Sequence, residues 1–217
     1  MLTSSAHHLP YTWDDYRSWD DDRRWEIIGG EAYAMSPAPS VRHQLVQTGL
    51  LVQIHGRLAG RPCRAIPSPV DVRLSDQDVV QPDIIVVCDP GQDHRTHIEG
   101  PPSLVIEILS PSTGQYDRVV KMDLYARAGL PEVWLVTPFP QSVEIFRLDG
   151  DGYRRHAAYT HTQTLTSPTL PEIKVDLAPV FDFPLDPDEQ PPAVQEPPGR
   201  YRAATGAEER RSSGTPP

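Results

Sequence analysis

The sequence lacks the features that mark secreted, membrane-spanning and disulfide-rich proteins. It has only two cysteines, Cys63 and Cys88, which are too few for a disulfide framework. Cys88 ends an apolar segment, where we expect a buried free thiol. No apolar run approaches the roughly 20 residues that cross a bilayer, and the N-terminus lacks the basic start and apolar segment of a secretory signal. We therefore expect a cytoplasmic protein with no membrane partner.

Positive charge is also scarce, because the net charge is −10 and the 20 basic residues include only two lysines, Lys121 and Lys174. This balance argues against a protein that coats nucleic acid by bulk charge. It leaves open an enzyme that binds DNA or RNA through a local basic groove. Four arginines that lie close together in sequence are either the rim of such a groove or an ordinary solvated surface: Arg57, Arg61, Arg64 and Arg73.

The composition changes along the chain and predicts three segments. Residues 186–217 are rich in Pro, Gly, Ser and Glu and have almost no large apolar side chains, so we expect a disordered tail. Residues 1–10 are expected to be loose. Residues 11–185 are long enough for one domain with a core of moderate size.

Apolar periodicity and turn residues place the elements of this domain. Thr12 and Asp15 predict the start of a short helix, and Gly29-Gly30 predicts the turn of a hairpin. Ser40 should cap a long helix that ends at Gly60. The apolar residues of this helix follow a helical period: Val41, Leu45, Leu51, Val52, Ile54 and Leu58.

The second half of the domain alternates strands with one helix. Strands are expected near 63–67, 70–74, 82–88 and 103–109. A second helix, "YDRVVKMDLYARAG", is followed by the strand "PEVWLVTP" and by a hairpin around "DGDG". This order predicts a mixed α/β or α+β domain with a sheet between helices.

Glu107 lies within the apolar strand "SLVIEILS". Leu104, Ile106 and Ile108 point to one face, and Glu107 points to the other with apolar neighbours. A strand that is apolar on both faces is typical of the centre of a sheet. An ionised Glu107 there needs a cation, a metal ion or hydrogen-bond donors, or else it carries a raised pKa. The ordinary alternative is a half-solvated glutamate at a sheet edge.

Asp83 follows Pro82 at the start of the apolar strand before it. An aspartate in the turn before a strand is common, and that is its ordinary interpretation. Two carboxylates on neighbouring strands would repel each other, however, and a divalent metal ion between them would remove the repulsion. Mg²⁺ binds a few carboxylate oxygens and fills its other positions with water or phosphate oxygens.

Lys121 lies on the helix that follows the Glu107 strand. Asp117, Lys121 and Tyr125 are spaced to share one face of that helix. Lys121 is therefore either half of a surface ion pair with Asp117 or an ammonium directed toward Glu107. In the second case it could lower the pKa of a water molecule, orient it, or offset charge in a phosphoryl transition state.

Three motifs at these spacings, "QPDI", "EILSPST" and "DRVVKMDLY", resemble the PD-(D/E)XK nuclease superfamily. More closely, about residues 11–160 resemble a family of "putative restriction endonucleases", through "WEIIGGEAYAMSPAPS", the "RHQ" that opens the long helix, and the "VEIFRL" hairpin. The resemblance implies a restriction-endonuclease-like mixed central sheet flanked by helices. It also implies an Mg²⁺- or Mn²⁺-dependent endonuclease that hydrolyses phosphodiester bonds in DNA, commonly as a homodimer.

The resemblance assigns roles residue by residue. Asp83, Glu107 and the carbonyl of Ile108 would be metal ligands. The superfamily's lysine two residues after the glutamate is Leu109 here, and its role would pass to Lys121 on the following helix. Glu26 matches an acidic position near the same site, although a strand glutamate beside a hairpin turn could equally face solvent.

Other candidates are less specific. His43 and Gln44, at the start of the long helix, are candidates for a phosphate contact, since helix N-termini favour anions; His43 could instead be a packing residue. The hydroxyls of "SPST" could bind phosphate or simply form a turn. His94 and His97 in "HRTH" fit a polar loop better than a zinc site. A second hypothesis for the whole protein is a nuclease-fold binding or scaffold protein with weak or no catalysis.

Overall fold

The structure is a computed structural model that describes residues 9–21, 23–35, 38–110 and 114–184, and the backbone of residues 200–202. Its helical elements are α1 (Trp13–Ser18), α2 (Val41–Leu58), a 3₁₀ turn (Pro90–Gln92), α3 (Gly114–Tyr116), a π-helical turn (Asp117–Lys121) and α4 (Met122–Arg127). The last three follow one another without a break and replace the single regular helix that the sequence predicts.

The strands of the first half are β1 (Trp25–Ile28), β2 (Glu31–Ala34), β3 (Arg64–Pro67), β4 (Asp71–Ser75), β5 (Asp78–Val80), β6 (Ile84–Val87) and β7 (His97–Glu99). Those of the second half are β8 (Leu104–Ile108), β9 (Glu132–Thr137), β10 (Ser142–Asp149), β11 (Gly152–Thr160), β12 (Thr164–Thr166), β13 (Lys174–Asp176) and β14 (Arg200–Arg202). The predicted strands and both predicted hairpins are present.

A mixed seven-stranded sheet forms the centre of the domain, with strand order β14-β11-β10-β9-β8-β6-β3. Its β8 and β9 are parallel, so the chain must cross over between them, and α3, the π-helical turn and α4 make that crossover. A second sheet has the order β2-β1-β5-β4-β7, and β12 pairs with β13. The prediction of a mixed α+β fold is confirmed.

Helices cover both faces of the seven-stranded sheet. On one face, α2 packs through its buried residues against alternate residues of β6 and β8, among them Ile84 and Ile106. On the other face, α4 packs against the intervening residues, among them Ile85 and Val105. Because both faces are buried, β6 is apolar along its whole length, and β8 is apolar except at Glu107.

The buried face of α2 differs from the predicted one. Val41, Leu45 and Val52 are 77%, 50% and 65% exposed, whereas Val46 and Leu50 are fully buried. Ile54 and Leu58 are buried as expected. The helix carries apolar residues around much of its circumference, so periodicity alone selected the wrong stripe for its first half.

The predicted starts of the helices and the first turn are confirmed. Ser40 accepts a hydrogen bond from the backbone N–H of His43 at 3.2 Å and caps α2. Thr12 and Asp15 form a capping box on α1. At the hairpin turn Gly30 has φ +78°, and a Cβ there would lie 2.3 Å from Pro10, so only glycine fits.

Cys63 and Cys88 form a disulfide, so the expectation of a free thiol at Cys88 is wrong. The pairing of β3 with β6 places Arg64 opposite Val87, and the two cysteines flank that pair. A sequence separation of 25 residues hides this proximity until the strand register is known.

A wholly buried carboxylate links β9 to the segment after β12. Glu132 accepts hydrogen bonds from the indole N–H of Trp134 at 2.5 Å, from the Ser167 hydroxyl at 2.9 Å, and from both the backbone N–H and the hydroxyl of Thr169. These donors offset the cost of burying its charge.

The predicted tail, 186–217, lies outside the described residues except at Arg200–Arg202, whose backbone pairs as β14 with β11. Residues 1–8 of the predicted loose N-terminus are likewise not described.

Within the described residues, none of the helices has both the length and the apolar character needed to span a membrane.

Candidate functional site

Glu107 lies near the end of β8, between β6 and β9 in the seven-stranded sheet. Its side chain is buried, so the alternative of a half-solvated edge glutamate is wrong. Its Oε1 accepts hydrogen bonds from the Tyr125 hydroxyl at 2.5 Å and from Lys121 Nζ at 3.2 Å. The predicted need for donors and a cation around this carboxylate is therefore met by residues of the crossover helix.

Lys121 is the cation, and its side chain is only 5% exposed. Its Nζ lies 2.9 Å from Glu26 Oε1, 3.2 Å from Glu107 Oε1 and 3.6 Å from Asp117 Oδ1. The interpretation as a surface ion pair is wrong, since the Asp117 contact exists but is buried. Asp117 and Lys121 are the first and last residues of the π-helical turn, a type of irregularity that is frequent at functional sites.

Glu26 reaches the same cluster from β1 in the other sheet. Its side chain is buried, so the solvent-facing alternative is wrong. Besides Lys121, its Oε1 accepts from the backbone N–H of Gln81 at 2.9 Å, and its Oε2 accepts from the Tyr116 hydroxyl at 3.3 Å. Glu26 thus joins the five-stranded sheet to the crossover helix through the lysine.

Asp83 lies beside the cluster, immediately before β6. Ile84 pairs with Ile106, so continuing the register by one residue sets Asp83 opposite Glu107. The backbone N–H of Ile108 donates to Asp83 Oδ2 at 2.7 Å. The structure therefore brings Glu26, Asp83, Glu107 and Lys121 to one end of the sheet.

The start of α2 completes this end of the sheet. His43 is 9% exposed, and its Nε2 lies 3.2 Å from Asp83 Oδ2. Gln44, the other candidate phosphate contact, points to the exposed side. Gln47, one turn further along, donates to the backbone carbonyl of Asp83 at 2.7 Å and to the Ser68 hydroxyl at 3.0 Å.

Two buried glutamines, Gln47 and Gln81, were not among the sequence candidates. Gln81 supports Glu26 through its backbone N–H, and its side chain contacts Tyr16, Arg24 and Asp71. Glutamine is mostly a surface residue, so neither position stood out. The signal that could have found Gln81 is its place directly before Pro82 and Asp83.

The cluster carries more negative than positive charge. Burial raises the pKa of Glu107 to about 8; the nearby Lys121 ammonium acts against this shift, and the charges of Asp117, Asp83 and Glu26 add to it. Burial disfavours the Lys121 ammonium, but attraction to Glu107 and Glu26 outweighs that cost and raises its pKa well above the ordinary value. One ammonium among four carboxylates leaves a site that favours a further cation.

The donor chemistry fits a divalent cation held by few protein oxygens. Among the described residues, no group of three or more His, Cys, Asp or Glu side chains is placed to bind a metal ion. Mg²⁺, however, is commonly bound through only one or two carboxylates, with water and phosphate completing its shell. Asp83 and Glu107 supply such hard oxygen donors, and the excess negative charge favours the ion.

The remaining sequence candidates lie apart from this cluster or outside the description. His97 begins β7, a strand the sequence did not predict, and its Nε2 lies 3.2 Å from Glu99. Arg73 contacts Asp76 and Glu99, and the other three arginines of the candidate rim are exposed. In "SPST", Pro111–Thr113 lie outside the described residues.

Comparison with known proteins gives three results. The family model of Uma2, described as "Putative restriction endonuclease", matches residues 13–178. An uncharacterized protein of Synechocystis sp. is 32% identical over 129 residues, which cover 58% of this chain and 67% of that protein. A crystal structure of a "putative nuclease belonging to DUF820" from Anabaena variabilis matches with a TM-score of 0.64 and 21% identity, covering 79% of this chain and 98% of the other. At that identity the structural match shows a shared fold.

Proposed function

Because the chain belongs to the Uma2 family of putative restriction endonucleases, we propose that it is a metal-dependent endonuclease that hydrolyses phosphodiester bonds in DNA. The observation that carries the proposal is the convergence of Glu26, Glu107 and Lys121, with Asp83 in register beside them. These groups come from four separate stretches of chain. Burying so many charged side chains together costs free energy, and such clusters are found often at functional sites.

In this proposal Asp83, Glu107 and the Ile108 carbonyl would hold Mg²⁺ or Mn²⁺. A divalent ion at such a site polarises a phosphate oxygen and lowers the pKa of a water molecule. The ion's positive charge also offsets the repulsion between the carboxylates of Asp83 and Glu107.

Lys121 acts as a fixed positive charge and hydrogen-bond donor in the same proposal. Its carboxylate neighbours favour the ammonium form, so it orients water and offsets charge on the phosphate rather than accepting a proton. Glu26 and Asp117 both contact the ammonium, and the Tyr125 hydroxyl donates to the Glu107 carboxylate. Glu26 is therefore a positioning residue for Lys121.

The expected assembly follows from the proposed cleavage of duplex DNA. Cleavage of both strands needs two sites, so we expect a homodimer that places one site against each strand. A cytoplasmic location remains a prediction.

A nuclease-fold binding or scaffold protein without efficient catalysis is the second candidate. The observation in its favour is that Glu107 and Lys121 bind each other directly. A lysine that permanently neutralises a glutamate could stabilise the fold without taking part in a reaction.

Cleavage assays separate the two candidates. Purified protein is incubated with supercoiled plasmid, single-stranded DNA and RNA in Mg²⁺, in Mn²⁺ and in EDTA. We expect divalent-ion-dependent cleavage of DNA that is abolished in Glu107→Gln and Asp83→Asn. Glu172→Gln is the matched control, because Glu172 lies in the turn before β13. This variant should cleave DNA at the wild-type rate.

Two results would contradict the proposal. Wild-type protein that cleaves none of the three nucleic acids with any divalent ion would favour the scaffold. Cleavage by Glu107→Gln at the wild-type rate would place the reaction elsewhere.

A further inference from the structure

Helix α2 holds Asp83 at two points, its carboxylate and its backbone carbonyl. His43 Nε2 lies 3.2 Å from Asp83 Oδ2, and Gln47 Nε2 donates to the Asp83 carbonyl at 2.7 Å. The two residues are four positions apart, so they project from the same face of the helix. The backbone N–H of Ser68 donates to the same carbonyl at 2.8 Å.

The network assigns the proton of the His43 ring. A carboxylate only accepts hydrogen bonds, so Nε2 of His43 carries the hydrogen that Asp83 Oδ2 accepts. The other ring nitrogen, Nδ1, is buried and has no hydrogen-bond partner among the described residues. The contact with Asp83 is therefore the hydrogen bond that fixes the orientation of the ring.

The two carboxylate oxygens of Asp83 have different surroundings. Oδ2 accepts from both His43 and the backbone N–H of Ile108, which satisfies most of its capacity. Within the described part of the chain, Oδ1 has no such partner and is the oxygen left for a cation. The rotation of the carboxylate is therefore set by a helix on one side and a strand on the other.

We infer that His43 is a positioning residue that orients the Asp83 carboxylate for divalent-metal binding. The inference rests on the proposed function in one respect, namely that Asp83 is a metal ligand. It takes the place of the candidate phosphate contact at this position, since a ring only 9% exposed faces Asp83 and not the surface. Hydrogen-bond partners of metal ligands change metal affinity by about 10- to 100-fold when they are removed.

The test measures Mn²⁺ binding to the full-length protein by isothermal titration calorimetry, in the absence of nucleic acid. His43→Ala should weaken Mn²⁺ binding by about 10- to 100-fold. His43→Gln should restore most of the affinity, because its amide nitrogen reaches the position of the imidazole Nε2. His43→Asn is shorter and should not restore it. Gln44→Ala, on the exposed side of the same turn, is the control and should bind like wild type.

The comparison between the Gln and Asn variants keeps the test informative even if the Ala variant folds poorly. Equal Mn²⁺ affinity in the Gln and Asn variants would indicate a packing role and would overturn the inference. Normal Mn²⁺ affinity in all three His43 variants, with a raised KM for DNA, would indicate that His43 contacts phosphate. That result would also overturn the inference.

The outcomes separate this inference from the proposed function. If the wild-type protein cleaves DNA and His43→Ala binds Mn²⁺ as tightly as wild type, the inference fails and the proposed nuclease function stands. If Mn²⁺ affinity follows the Gln and Asn pattern but no nucleic acid is cleaved, the inference stands and the nuclease fails. A wild-type protein that binds no Mn²⁺ would overturn the inference and the metal dependence together.

Discussion

Replacing Lys121 with methionine should destabilise the protein far more than replacing Glu107 with glutamine. Methionine keeps much of the lysine's length and removes the charge. In Lys121→Met, the carboxylates of Glu26, Glu107 and Asp117 lose the ammonium that lies within 3.6 Å of each. All three are buried, so solvent cannot take over the role of the ammonium.

The size of the effect follows from the burial. Removing one partner of a buried ion pair costs about 3–5 kcal/mol. For a domain of this size each kcal/mol lowers Tm by about 2–4 °C, so the variant should melt roughly 6–20 °C below wild type. Glu107→Gln resembles the protonated form that burial of Glu107 favours and keeps an acceptor for Tyr125, so its stability should change by about 1 kcal/mol or less.

The measurement is urea unfolding followed by circular dichroism, in EDTA so that bound metal does not contribute. The double variant Lys121→Met/Glu107→Gln should lose less stability than Lys121→Met alone, because one uncompensated carboxylate is gone. A Lys121→Met variant within about 1 kcal/mol of wild type would refute the reasoning, since the lysine would then not be compensating the buried carboxylates.

Three further predictions test the core and the metal. Leu50→Ala should cost about 2–5 kcal/mol by chemical denaturation, whereas Leu45→Ala on the exposed stripe of α2 should stay within about 0.5 kcal/mol; equal losses would contradict the orientation of α2. Trp134→Phe removes a donor from the buried Glu132 and should cost about 1–3 kcal/mol in the same assay; an unchanged midpoint would show that the indole bond is dispensable. Mg²⁺ at about 100 times its Kd should stabilise wild type by about 2.7 kcal/mol, reversibly on adding EDTA, and a similar gain in Glu107→Gln would place the ion elsewhere.

Much of the fold could be predicted because local rules and global packing agree there. The strand around Glu107 is apolar on both faces, which correctly indicates a central position with helices on each side. Ser40 caps α2 with its hydroxyl, and the glycines of the first hairpin adopt the positive φ angles that the turn needs. These signals depend on a few neighbouring residues and do not require knowledge of distant contacts.

What the sequence did not predict depends on contacts between distant segments. The disulfide needs the register of β3 against β6, and the burial of Glu26 needs the packing of one sheet against the crossover helix. The stripe of α2 that is buried cannot be chosen when apolar residues lie on several sides of the helix. No residue pattern in the sequence distinguishes the π-helical turn from an ordinary α-helix, although the turn sets the positions of Asp117 and Lys121.

The candidate site is assembled from segments on both sides of an exposed loop at residues 93–96. Glu26 and Asp83 precede that loop, and Glu107 and Lys121 follow it. A chain severed there would give two polypeptides that each hold half of the candidate site. They would regain the complete site by reassociating through the pairing of β6 with β8 and of β4 with β7 and through the packing of α2 on the second half, so the loop is a natural place to divide the molecule into a split reporter.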